Sequence, residues 1–194
     1  MARLSLTKRN RLFAGGLAIV VVAILVASVW LAGGGSSNAD TPVVLYDASA
    51  GGTPAQTEFQ TANAAAAEAS RRAGFNVKVP PYLPSGFAVA DVTISPKPPA
   101  ASQSTLRRIL FAVKGGKSTL TMIAVNSPFT FPGSEDASRI VATPAKGSSI
   151  YKVAEGGLVE YTLLTPTRGY VLGFKASELS EAEAVKVLSS LPMD

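Results

Sequence analysis

The sequence contains neither cysteine nor histidine. Without thiols there is no disulfide framework, no thiolate nucleophile, no lipidated cysteine and no Cys/His zinc site. Without imidazole, Ser-His-Asp and Cys-His catalysis are excluded as well. Tryptophan occurs once, at Trp30, and charged residues make up only 16% of the chain. Acids are few and badly placed for chemistry: Glu135-Asp136, Glu155 with Glu160, and Glu178, Glu181 and Glu183. General acid/base work needs two carboxylates facing one cleft. Glu155 and Glu160 instead flank a Gly-Gly turn, and the others read as loop or helix-start acids. A calcium loop would need Asp or Asn at alternate positions before a Glu, and that pattern is absent. These absences predict a protein that is not an enzyme and holds no cofactor or metal.

What is present begins with Leu12 to Ala32, an uncharged apolar run. At about 1.5 Å per helical residue such a run matches the roughly 30 Å hydrocarbon core of a bilayer. Arg3, Lys8, Arg9 and Arg11 precede it without one acid, the pattern that keeps a flanking segment in the cytoplasm. Those four belong to the 18 basic residues, leaving 14 against 13 acids beyond the run. The basic balance therefore describes a topogenic signal and supplies no nucleic-acid-binding face. The expected organisation is a cytoplasmic tag (1–11), a transmembrane helix (12–32), a flexible Gly/Ser-rich linker (33–55) and an extracytoplasmic domain (56–194). A cleaved signal peptide is the competing reading of residues 1–39, with Ser37-Asn38-Ala39 as small residues at the cleavage point. Val43 to Tyr46 is apolar enough for a short strand or a membrane-surface contact.

In the domain, Thr57 to Ala73 reads as a helix. Thr57 and Gln60 have capping-box spacing, Arg71-Arg72 fall in the last turn and Gly74 stands at the stop. Phe75, Val77 and Val79 alternate as a strand, and Pro80, Pro81 and Pro84 then force a rigid passage. Beta character resumes over Phe87 to Ile94. RRILFAV and STLTMIAV flank Lys114-Gly115-Gly116-Lys117, a tight-hairpin signal. The Gly-Lys-Ser there lacks the upstream glycine of a phosphate loop, since Phe111 holds that position. Further strands are expected at Ser138–Ala142, Ile150–Ala154, Leu158–Leu164 and Tyr170–Lys175. A closing helix starts at a second capping box, Ser180 and Glu183, and buries Ala184, Val185, Val187, Leu188 and Leu191. The predicted class is α+β: an antiparallel meander of about seven strands flanked by an N-terminal and a C-terminal helix.

Binding candidates are few. Phe129 and Phe131, between Pro128 and Pro132, form either an exposed docking patch or a plug for the sheet. Tyr82, in the proline turn, divides the same way. Arg107-Arg108 and Arg71-Arg72 could meet anionic headgroups or phosphate ligands, or be ordinary solvated charges.

The stretch AGFNVKVPPYLPSGFAVADVTI (Ala73 to Ile94) and the end GYVLGFKASELSEAEAVKVLSSL (Gly169 to Leu191) resemble the bacterial extracytoplasmic domain-of-unknown-function 4367 family. That family pairs a short helix with a Phe-led strand and a Pro-x-x-Leu-Pro-x-Gly-aromatic turn. The resemblance covers roughly Thr57 to Pro192. It implies a domain like those of lipoprotein-carrier-like proteins and the outer parts of membrane-bound anti-sigma factors, with a binding, sensing or envelope-maintenance role and no catalytic residues. Two departures matter: the basic tag is too short to grip a sigma factor, and no cysteine is present to carry lipid. The expectation is a single-pass cell-membrane protein whose extracytoplasmic domain binds an envelope protein or ligand. The alternatives are a lipid- or lipoprotein-handling carrier-like domain and an envelope hydrolase with a Ser/Lys or carboxylate site.

Overall fold

Apolar residues recur with period two from Val43 onward, and the chain builds one mixed nine-stranded sheet from them. The computed structural model describes residues 42–49, 53–95, 107–126 and 136–193. The basic tag, the apolar run, the linker up to residue 41, and Phe129 and Phe131 lie outside the described residues. Among the described residues no helix is long and apolar enough to cross a membrane.

Strand β1 (Val43–Asp47) forms an antiparallel hairpin with β2 (Ala55–Phe59). Helix α1 (Ala62–Ala73) then carries the chain back so that β3 (Ala88–Ile94) lies parallel to β1. Strands β4 (Arg108–Gly115) and β5 (Ser118–Val125) continue as a meander. The chain next travels to the far edge and returns through β6 (Ile140–Ala142), β7 (Ser149–Glu155), β8 (Leu158–Leu164) and β9 (Gly169–Lys175). Strand β9 closes against β5, giving the order β2-β1-β3-β4-β5-β9-β8-β7-β6. Helix α2 (Glu181–Ser189) ends the fold.

Alternation sends Leu45, Val92, Ile109, Phe111, Leu120, Met122, Ile150, Leu163 and Leu172 to one face, where they form a single core. Both helices cover that face. Helix α1 buries only alanines (Ala65, Ala66, Ala69 and Ala73), so its backbone lies close to β1 and β3. Helix α2 packs Ala184, Val187 and Leu188 over β8 and β9. Tyr161 and Phe174 stack in this core, their ring centroids 5.7 Å apart.

The α+β class holds, with several corrections in detail. The sheet has nine strands, not about seven, and the parallel β1–β3 pair makes it mixed rather than an antiparallel meander. Of the two readings of Val43 to Tyr46 the short strand holds: inside the stretch expected to be linker, Val43–Asp47 is a strand between two others, with Leu45 fully buried. Thr57 belongs to β2, and α1 starts later, capped by the Thr61 hydroxyl accepting from the Ala64 N–H at 3.2 Å. The stop at Gly74 is as expected, in the left-handed region at φ +75°. Residues 75–79 are not a strand. The Ser70 hydroxyl of α1 accepts from the Val77 N–H (2.9 Å), while its one proton has the Ala66 carbonyl (2.7 Å) nearer than the Val77 carbonyl (3.2 Å). A helix side chain thus takes the backbone N–H that a neighbouring strand would have paired.

Turns follow their glycines. Gly116 (φ +58°) opens the two-residue β4–β5 connection, so the Gly-Lys-Ser stretch is a hairpin and not a phosphate cradle. Gly156 and Gly157, both at positive φ, make the equivalent turn between β7 and β8.

Candidate functional site

Three of the five expected binding residues are described, and they do not converge. Tyr82 is bound to the fold on three sides. Its phenol donates to the Glu183 carboxylate, its backbone N–H donates to Ser190 Oγ at 3.3 Å, and Lys186 Nζ sits 3.9 Å from its ring centroid. The proline turn is thereby fastened to α2. Arg107 closes the other helix: its guanidinium donates to the Ala73 carbonyl, in the last turn of α1. Arg108 leaves the neighbouring position of the chain toward the face opposite Ile109, half-buried at the start of β4. The pair Arg71-Arg72 is engaged too. Both guanidinium groups bind Glu68 at 2.7 Å, and Arg72 also reaches Asp47 at 3.3 Å. Their hydrogen bonds hold the Glu68 carboxyl down to about 2.

A second Tyr–Glu–Lys set secures the start of α2. Lys152 of β7 donates to Glu181 at 2.7 Å, and Tyr161 donates to the same carboxylate at 3.2 Å. The Lys152 hydrogen bond lowers the Glu181 carboxyl below its usual range, and burial raises the Tyr161 phenol. These contacts tie the start of α2 to β7 and β8.

A different constellation sits on the sheet face that carries no helix. Strand register places Val44, Asp91, Ala112, Thr121, Gly173, Glu160 and Val153 in one row across seven strands. The next row runs Tyr46, Thr93, Leu110, Ile123, Val171, Thr162 and Tyr151. Near the C-terminal end of β5 this face is closed off, since Val125 and Thr162 are buried. Toward Thr121 it is open: Thr121 is exposed, and a side chain built at Gly173 would meet nothing within 4 Å. Small residues in three adjacent strands (Ala112, Thr121 and Gly173) thus form a low floor. Leu110, Ile123 and Val171 rise on one side of it.

Charges bound the floor at each end. Asp91 pairs with Lys114 at 3.5 Å. Glu160 accepts from the Thr162 hydroxyl at 3.4 Å and makes no ion pair among the described residues. Burial pushes its carboxyl above the ordinary value. Sequence reasoning treated Glu160 as the partner of Glu155 across a turn and so passed over it. The available signal was its place inside VEYTLL, where strand alternation separates it from Tyr161 and Leu163 and puts it on the face away from the core.

The described residues contain no group of three or more acids that could hold a metal ion. Comparison with protein-family models, curated proteins and solved structures finds no match for this chain. The site is therefore read from its own geometry.

Proposed function

We propose that this chain is a single-pass membrane protein whose extracytoplasmic α+β domain binds a protein or ligand of the bacterial envelope without performing chemistry on it. The observation that carries the reading is the low floor at Ala112, Thr121 and Gly173. It joins an apolar wall to a half-buried carboxyl at Glu160, the mix of shape and a few polar groups that recognition sites use. The anchor at Leu12–Ala32, the cytoplasmic N-terminus and the affinity with the domain-of-unknown-function 4367 family belong to the same proposal. Together they give the partner's compartment and a non-catalytic role.

The test is extraction of the full chain from membranes under native conditions, with mass spectrometry of what remains bound. A parallel preparation carries Gly173→Leu, which fills the floor at a position with free space around it. The reading expects a stoichiometric companion that Gly173→Leu releases while thermal unfolding stays unchanged. A bound lipid or acyl species released by the same variant would make the domain carrier-like. A hydrolytic activity that co-purifies and disappears on a point substitution in the domain overturns the non-catalytic reading.

A further inference from the structure

The two outer strands of the sheet are built differently. Strand β6 has three residues, an irregular register between Ile140 and Ala142, and a 3-10 turn (Ala137–Arg139) leading into it. Those are the devices that stop an edge from pairing with another chain. Strand β2 lacks the irregular register and the lead-in turn, and its one charge is the exposed Glu58. Its five residues pair with β1 in unbroken register from Phe59 to Ala55, and AQTEF contains no proline, lysine or bulge. Ala55, Gln56 and Glu58 are exposed, and β2 is an outer strand with β1 as its one strand partner among the described residues. Such an edge leaves a row of backbone N–H and C=O groups unpaired.

We propose that β2 is a self-pairing edge, on which β2 of a second copy of this chain adds antiparallel about Thr57. The side chains select this occupant and this register. A two-fold axis at Thr57 puts Thr57 opposite its copy, a pair that stabilises strands by hydroxyl contacts. It sets Gln56 opposite Glu58, an amide facing a carboxylate, on both sides of the axis. Ala55 falls opposite Phe59, small against large, on the core side of the sheet. A slip of one residue toward either end breaks this match. Centring the pair on Glu58 puts two carboxylates directly opposite each other, which is destabilising. Centring it on Gln56 puts Glu58 beyond the end of its copy's strand. Five residues bury far less than the roughly 1,200–2,000 Å² of a stable interface, so the pair is weak between freely diffusing copies. Copies held in one membrane gain from a raised effective concentration.

The chain's lack of cysteine makes the test clean. Thr57→Cys is introduced into the full chain in detergent and in membranes, oxidised, and scored for covalent dimer. Lys117→Cys, on the exposed β4–β5 turn, is the control. Pairing expects Thr57→Cys to cross-link at least about tenfold faster than the control, because thiols on the axis meet at high effective concentration. Gln56→Cys and Glu58→Cys should each cross-link poorly alone and well when mixed. Thr57→Lys, which places like charges opposite each other, should abolish cross-linking between mixed Gln56→Cys and Glu58→Cys chains in membranes while leaving the chain folded. Equal cross-linking of Thr57→Cys and the control overturns the proposal. So does a Thr57→Cys adduct to another protein in place of the dimer, or mixed Gln56→Cys and Glu58→Cys chains that cross-link no better than either alone.

Discussion

The Tyr82 phenol donates to the Glu183 carboxylate across a sequence separation of 101 residues, joining the proline turn to helix α2. Glu183 also supplies the backbone N–H that the Ser180 hydroxyl caps, so one residue serves the helix start and the turn together. Removing the phenol should loosen the turn without touching the core. Tyr82→Phe is expected to cost about 1–2 kcal/mol, the range for a partly exposed hydrogen bond to a charged acceptor. Urea unfolding of Tyr82→Phe, Glu183→Gln and the double variant measures it. Additive losses would show that the two groups do not interact.

Gly115 ends β4 beneath the Phe87 ring, where a Cβ would come within 2.6 Å of a ring carbon. The Pro-Ser-Gly-Phe turn thus relies on a glycine at another place in the sequence. Gly115→Ala should destabilise by about 1–3 kcal/mol, as overpacking does. Phe87→Leu in the same chain should recover part of the loss, and strictly additive values would refute the contact.

Leu45 is fully buried between β2 and β3, in a stretch that composition alone assigns to a linker. Leu45→Ala should cost about 2–5 kcal/mol, the range for a core leucine. A loss below about 0.5 kcal/mol, typical of an exposed position, would return that segment to the linker.

Glu160 is charged less readily in the fold than in the unfolded chain, because burial raises its carboxyl. The folded state therefore takes up the proton first. Its contribution to stability is full below the unfolded value and is lost as pH rises through the raised one. Glu160→Gln should be more stable than the natural chain at neutral pH. That advantage should shrink as the pH falls toward the ordinary carboxylate range. Denaturant midpoints at several pH values test this, and a constant difference between the two proteins would contradict it.

Much of the sheet was legible because its signals are local. Glycine pairs marked the β4–β5 and β7–β8 turns, alternation marked the flanking strands, and Ser180 with Glu183 marked the start of α2. What escaped was set by distant partners. Phe75, Val77 and Val79 alternate like a strand, yet a helix serine takes the backbone N–H of Val77. Val43 to Tyr46 could be a short strand or a surface contact, and what decides it is its pairing with β2 and with β3, the latter met more than forty residues later. Tyr82 reads as a docking aromatic or a plug and Arg107 as half of a basic pair; the partners they have in the fold, Glu183 and the Ala73 carbonyl, lie far off in the sequence. The floor at Ala112, Thr121 and Gly173 was invisible for the same reason: it consists of what three strands lack, and register alone brings those gaps side by side.

The closure of β9 on β5 also has a consequence in time. Strand β5 is complete at Val125, but its second neighbour begins only at Gly169. A chain emerging from its N-terminus therefore carries β5 with one side unsatisfied through the making of β6, β7 and β8. During that interval Met122 and Ala124, buried in the finished protein, border an open edge. Any delay between these two points in synthesis lengthens the period in which the half-made sheet can capture a wrong strand. The last strand thus acts as the timer of the whole assembly.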